Sequence, residues 1–351
     1  LVDNRVTSEF EAVRVFSTDR TKWVGWVHEY PADLDGTPLP SGRIEGMAID
    51  HLGYDPKIVA AKNKWDRNVS LAEAAYFSDP SFKTRLDLAR SLAWRSDEER
   101  AFELFREAAA DLTGASDGAA AFVVAHVALS HQIEGELDRA HELADRAIGL
   151  CSGEFVAHLA KARAWRVNGD DRAIVEAHRR RSASRLDAPM FDTSATRTMT
   201  DTVAVGALAR LGRYVDALEL AVPVLEADPA RFDEWTSLAS MPPALRETGL
   251  PLLASIDRTG GFVDALVGEI PMSELAAVVL AHVRSGEAGS HAVITGIMAA
   301  VLANDVATAA AIAECGAAAL DDDERIATAE RCRLRDAETV AAILAPASLA
   351  R

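Results

Sequence analysis

The sequence predicts a mainly α-helical protein: an array of helix pairs preceded by a small β-rich segment. Three observations carry this reading. From Pro80 onward apolar residues recur at three- and four-residue intervals, the period of helices packed along one face. Those stretches are punctuated by Ser-Asp, Gly-Glu, Gly-Asp and Gly-Arg turns. Residues 1–54, by contrast, are rich in Val, Phe and Trp between polar turns, as strands are.

In the β-rich segment, EAVRVFS (Glu11–Ser17), KWVGWVHEY (Lys22–Tyr30) and GRIEGMAIDHL (Gly42–Leu52) read as strands, separated by STDRT and ADLDGTPLPSG. If KWVGWVHEY is one strand, Trp23 and Trp26, three residues apart, face opposite ways. One is then free to stack on a ring while the other packs inward. Two or three strands cannot cover their own apolar face, so this segment needs a helical layer against it. Residues 55–79 supply one: DPKIVAAKNKWDRNVSLAEAAYF (Asp55–Phe77) reads as a connecting helix, closed by Ser78-Asp79-Pro80.

Residues 80–351 read as the repeat domain. In three turns a small residue is followed five positions later by alanine: Ser96 and Ala101, Gly135 and Ala140, Gly212 and Ala217. Ala108, Ala147 and Val224 come seven positions further on. Such small residues suit helices that approach closely, and the turn residue suits a tight reversal. Gly135 and Gly169 lie 34 positions apart, the tetratricopeptide period, so the array is expected to be tetratricopeptide-like. The third pair reads as having lost a residue between Gly169 and Ala173. Beyond Phe232 the chain breaks at Pro242-Pro243, Gly260-Gly261 and Gly286 and is not assignable to units.

Composition bounds the partners. With 351 residues, 49% of them hydrophobic, the chain can bury a large core. A net charge of −17, most of it after Arg67, argues against nucleic acid and anionic membrane surfaces. The longest apolar run, Ala292–Ala303, is shorter than the roughly 20 residues that span a bilayer, so no membrane span is expected. Cys151, Cys315 and Cys332 are odd in number and lack CxxC spacing, which suits a reducing compartment. The opening LVDNRVTSEF has no basic region followed by an apolar core, and a cytoplasmic location is expected.

Four motifs in order give the front of the chain a resemblance. Arg14-Val15-Phe16 is followed by Trp23-Val24-Gly25-Trp26-Val27-His28-Glu29, by Ile49-Asp50-His51-Leu52-Gly53-Tyr54, and by a lysine-rich stretch from Lys62 ending in Arg67-Asn68. This order resembles the end of the catalytic domain in bacterial family-2 glycosyltransferases that carry tetratricopeptide repeats. The resemblance implies a GT-A type transferase that moves a sugar from a nucleotide-sugar donor to a protein, peptide or glycan acceptor. It implies a divalent metal, manganese or magnesium, in the intact enzyme. By position it makes Glu29 the candidate catalytic base, and His28 its neighbour, metal ligand or diphosphate contact. Trp23, Trp26 and His51 become candidate substrate contacts. The nucleotide-binding strands and the aspartate-x-aspartate motif of such an enzyme would lie ahead of Arg14, where 13 residues stand, so this chain alone is expected to have little transferase activity. The helical array is then expected to bind the acceptor or mediate self-association. A non-catalytic tetratricopeptide-like adaptor is the competing expectation.

The remaining polar clusters read as structural. Asp33-Leu34-Asp35 matches the metal motif but sits in a Gly/Pro-rich turn, where acidic residues are common. His126, His131 and His141 lack i, i+4 spacing and read as helix-surface residues. His178-Arg179-Arg180-Arg181 with Arg185 reads as the solvated end of a helix. Asp321-Asp322-Asp323-Glu324 reads as a helix N-terminus.

Overall fold

The structure, a computed structural model, describes residues 17, 19–27, 30–37, 39, 62–187, 194–227, 235–256, 261–286, 288–335 and 337–345. Among them the chain is mainly helical, with sixteen α-helices and one two-stranded sheet. Strands β1 (Thr21–Val24) and β2 (Tyr30–Asp33) pair antiparallel, from Thr21 opposite Asp33 to Val24 opposite Tyr30. KWVGWVHEY is therefore not one strand. Gly25 takes φ 111°, a conformation open to glycine and costly for other residues, so β1 stops at Val24 and the chain bends through Trp26 and Val27. Trp23 and Trp26 thus do not occupy opposite faces of a strand, and neither packs inward: both are more than half exposed. GRIEGMAIDHL, and EAVRVFS up to Phe16, lie outside the described residues.

The connecting helix is α1 (Lys64–Ser78). It is not continuous from Asp55, because Asn63 is left-handed at φ 43°. The first compact unit comprises residues 1–164 and 185–194. In it α1, α2 (Phe82–Trp94), α3 (Glu98–Ala110), α4 (Asp117–Ile133) and α5 (Leu137–Leu150) each pack on the next. Their core is built from Val69, Leu92, Phe105, Val123 and Ala144. Helix α6 (Phe155–Val167) follows.

The second unit comprises residues 165–184 and 195–351 and has a core of its own. Its chain continues through α7 (Asp171–Ala183), α8 (Ser194–Arg210), α9 (Tyr214–Ala227) and a 3₁₀ turn at Trp235–Ser240. Then come α10 (Pro243–Ile256), α11 (Gly261–Leu266), α12 (Met272–Arg284), α13 (Ser290–Leu302) and α14 (Val306–Gly316). Helices α15 (Asp322–Arg333) and α16 (Glu338–Leu344) end the described chain. Helix α12 packs against α10, α13 and α14. Breaks fall where the sequence places them: Pro243 and Gly261 open helices, and Gly286 follows α12 at φ 83°. Asp321 caps α15 in a capping box with Glu324. No described helix is long and apolar enough to cross a membrane.

One turn recurs five times among the described residues. Ser96, Gly135, Gly169, Gly212 and Asn304 are left-handed, with φ between 60° and 83°. In each case the next N–H donates to a carbonyl five residues back: Asp97 to Leu92, Glu136 to His131, Asp170 to Trp165, Arg213 to Leu208 and Asp305 to Ala300, at 2.8–3.0 Å. This Schellman closure ends one helix and aims the chain into the next. Five positions past the turn stand Ala101, Ala140, Ile174, Ala217 and Ala309, all buried. Seven further on, Ala108, Ala147, Arg181, Val224 and Gly316 are buried too. A Cβ on Gly316 would lie 2.7 Å from Val293 Cγ2, so the helices there meet at a distance that only a hydrogen permits.

Three expectations change. The third pair has lost no residue, since Ile174 fills the alanine position in the same register and Ala173 is only partly buried. The region beyond Phe232 contains a further pair, α13–α14, whose turn residue is asparagine instead of glycine. The basic run is also only half solvated. Arg179 and Arg180 pair with Glu176 at the surface, whereas the Arg181 side chain is 7% exposed and pairs with Asp201 of α8. His178 Nε2 lies 3.3 Å from the same carboxylate. Burial lowers the Arg181 pKa, with the Asp201 charge acting against the shift.

The register is testable by urea denaturation. Ile174→Ala is expected to cost about 2–5 kcal/mol through the cavity it leaves, while Ala173→Leu changes stability by less than about 1 kcal/mol. The opposite ranking would restore the deletion.

Candidate functional site

The hairpin contributes Val27 to the core of the first helices. Val27 is 6% exposed and belongs to the first core, together with Val69 and Ala72 of α1 and Leu86 of α2. Its neighbour Trp26 is 57% exposed. Lys22 Nζ donates to the Leu34 carbonyl at 2.6 Å, tying β1 to the turn after β2. In that turn Asp33 Oδ1 accepts the N–H groups of Asp35 (3.0 Å) and Thr37 (2.8 Å), an Asx turn.

Between the hairpin and the helices lies a groove of about 260 Å³. Val24, Gly25, Trp26 and Val27 form one wall, Ala72, Ala75 and Ser78 of α1 the next, and Asp79, Lys83, Thr84 and Asp87 the polar end. The polar end is held in place by the start of α2, where Ser81 and Thr84 cap each other's backbone N–H. Asp87, its side chain 13% exposed, receives Lys83 Nζ on Oδ2 at 2.7 Å. Burial raises the Asp87 pKa, with Lys83 holding it back.

The other expected site residues fall as follows. Trp23 stands opposite Pro31 in the ladder and is 54% exposed. His28, Glu29 and His51 lie outside the described residues. Among the described residues of the hairpin no three ligand atoms lie close enough to share a cation. Among the described residues the ligand atoms close enough to share a cation belong to His131, Glu134 and Glu136, at the turn between α4 and α5. There His131 Nδ1 is 2.6 Å from Glu136, and Arg106 pairs with Glu134. His28, which the resemblance makes a ligand of the divalent metal, lies outside the described residues.

His126 is not a surface histidine. Its ring lies 4.5 Å from Phe105 and 4.2 Å from Phe122, centroid to centroid, and its Nδ1–H donates to the Phe122 carbonyl at 2.8 Å. Burial drives its pKa down to about 4. A second buried group, Glu154, precedes α6. Its Oε1 accepts the Val156 N–H at 3.2 Å, its Oε2 has no partner, and burial lifts its pKa to about 7. In sequence Ser152-Gly153-Glu154 looks like an ordinary helix start, and only packing buries the carboxyl. Cys151 and Cys332 are buried thiols whose pKa burial pushes up, as inert cysteines behave.

No family model matches the chain, and no curated protein matches it.

Glu154 gives a pH prediction. Its pKa is raised from 4.5 to about 7 on folding, so the native state keeps a proton that the unfolded chain releases. Its contribution to stability is therefore lost as pH rises from about 4.5 to 7, amounting to about 3 kcal/mol. His126 acts oppositely, because its pKa is depressed and its penalty grows as pH falls from 6.5 toward 4. Glu154→Gln is accordingly expected to gain stability relative to the parent as pH rises, levelling off above pH 7, in denaturation series from pH 4.5 to 8.

Proposed function

We propose that this chain is the acceptor-side part of a nucleotide-sugar transferase of the family-2 type, its catalytic motif joined to a tetratricopeptide-like array that holds a protein, peptide or glycan acceptor. The observation that carries this reading is the anchoring of Val27. The residue just before His28-Glu29 is buried in the same core as α1 and α2, so the motif that the resemblance marks as catalytic begins where the helical array begins. The recurring left-handed turns with small buried residues support the tetratricopeptide-like part of the reading.

In this reading Glu29 accepts the proton of an acceptor hydroxyl as its oxygen attacks the anomeric carbon and the bond to the diphosphate oxygen breaks. The diphosphate leaves with the electron pair of that bond. His28 orients Glu29 or meets the diphosphate. The strands that hold the nucleotide lie outside this motif, and His28, beside Glu29, would complete the contacts to the diphosphate and its divalent cation.

Titration of the full chain with nucleoside diphosphates and nucleotide sugars, with and without manganese, tests the proposal. The expected result is metal-dependent, saturable binding that Glu29→Ala or His28→Ala weakens by about tenfold or more, with the circular dichroism of the chain unchanged. A folded chain that shows no metal-dependent binding overturns the transferase reading and leaves the helices as an adaptor.

A further inference from the structure

The groove beside Trp26 has the chemistry of a site for one neutral sugar ring. Its walls divide into an apolar side and a polar end. The apolar side is made by Val24, Val27, Ala72 and Ala75 with the exposed indole of Trp26. The electron-rich face of an indole attracts the polarised C–H groups that a pyranose presents on its less polar face. At the polar end Lys83 Nζ donates to Asp87 Oδ2 at 2.7 Å, and the charges of Lys83 and Arg90 both act on this carboxylate. Together Asp87 and Lys83 offer an acceptor and donors to two adjacent hydroxyls, in a partly buried setting where such bonds are stronger than in water.

Charge and size narrow the occupant. Asp79 and Asp87 against Lys83 leave the lining without positive excess, so a phosphate, sulfate or carboxylate is disfavoured. The volume of about 260 Å³ falls below the roughly 300–1,000 Å³ of sites for drug-sized ligands. It suits a single ring.

We propose that this groove binds an unmodified pyranose of the acceptor glycan, with Trp26 stacking on the ring and Asp87 and Lys83 binding its hydroxyls. The assignment of the ring to the acceptor rests on the transferase reading above. The binding itself does not.

The test is saturation-transfer NMR and tryptophan fluorescence on the full chain, titrated with methyl glycosides of glucose, galactose, mannose and N-acetylglucosamine, and with uridine and adenosine as nucleoside controls. At least one glycoside is expected to saturate in the millimolar range and to bind more tightly than either nucleoside. Trp26→Ala is expected to weaken it about tenfold, and Asp87→Asn about threefold or more. Trp94→Ala, at another exposed tryptophan, leaves it unchanged. Absence of saturation by every glycoside, equal binding by Trp26→Ala and the parent, or tighter binding of a nucleoside overturns the proposal. Glycoside binding without metal-dependent nucleotide binding sinks the transferase reading and spares the subsite, and the reverse result sinks the subsite alone.

Discussion

The structure depends on how closely two helices approach just after a left-handed turn. A residue at φ near 60–83° closes one helix, and five positions later a buried side chain sets the spacing of the pair. Where that side chain is alanine, the helices meet almost backbone to backbone. Ile174 shows that the geometry tolerates a larger side chain at one pair, and Gly316 shows that it can demand none at the second contact position. The turn also disposes of the carbonyls left over at the helix end, so one local device meets both a hydrogen-bonding and a packing requirement.

The groove is a consequence of that scaffold meeting a different kind of backbone. Gly25 interrupts β1, and the interruption lets Val27 reach the core of α1 and α2 while Trp26 remains in water. A continuous strand would have carried Trp26 and Val27 along the ladder to alternate faces of the hairpin. The polar end stands on the first turns of α2, whose start is capped independently of the hairpin.

Polar groups stand where the packing pattern calls for apolar ones, and each has a specific compensation. Arg181 takes a position that is alanine, valine or glycine in the other four pairs, and Asp201 neutralises it. His126 is satisfied by the Phe122 carbonyl and two aromatic rings, at the cost of staying neutral. Glu154 is compensated on one oxygen only. The two titrating groups oppose one another between pH 4.5 and 6.5, which makes the first unit less sensitive to acid than either group alone would leave it.

The helix pairs were legible because their causes are local. Apolar spacing, a small turn residue and the alanine beyond it all fall within about a dozen residues of one another, and the same holds for the cap at Asp321. The fifth pair escaped because Asn304 supplies the left-handed turn in place of glycine, and the third was misaligned because Ala173 stands beside the residue that packs. Of the candidate site, the sequence marked Trp23 and Trp26 but read a single strand through a glycine that breaks it. Asp87 and Lys83 carried no signal at all, being an ordinary i, i+4 pair on a helix. By itself, then, the sequence determined the helical class, the turn positions and the motif order at the front of the chain, since these follow from periodicity and composition. Tertiary structure decided which polar side chains are buried and what faces Trp26, because both depend on segments distant in the chain meeting at a distance that no local pattern encodes.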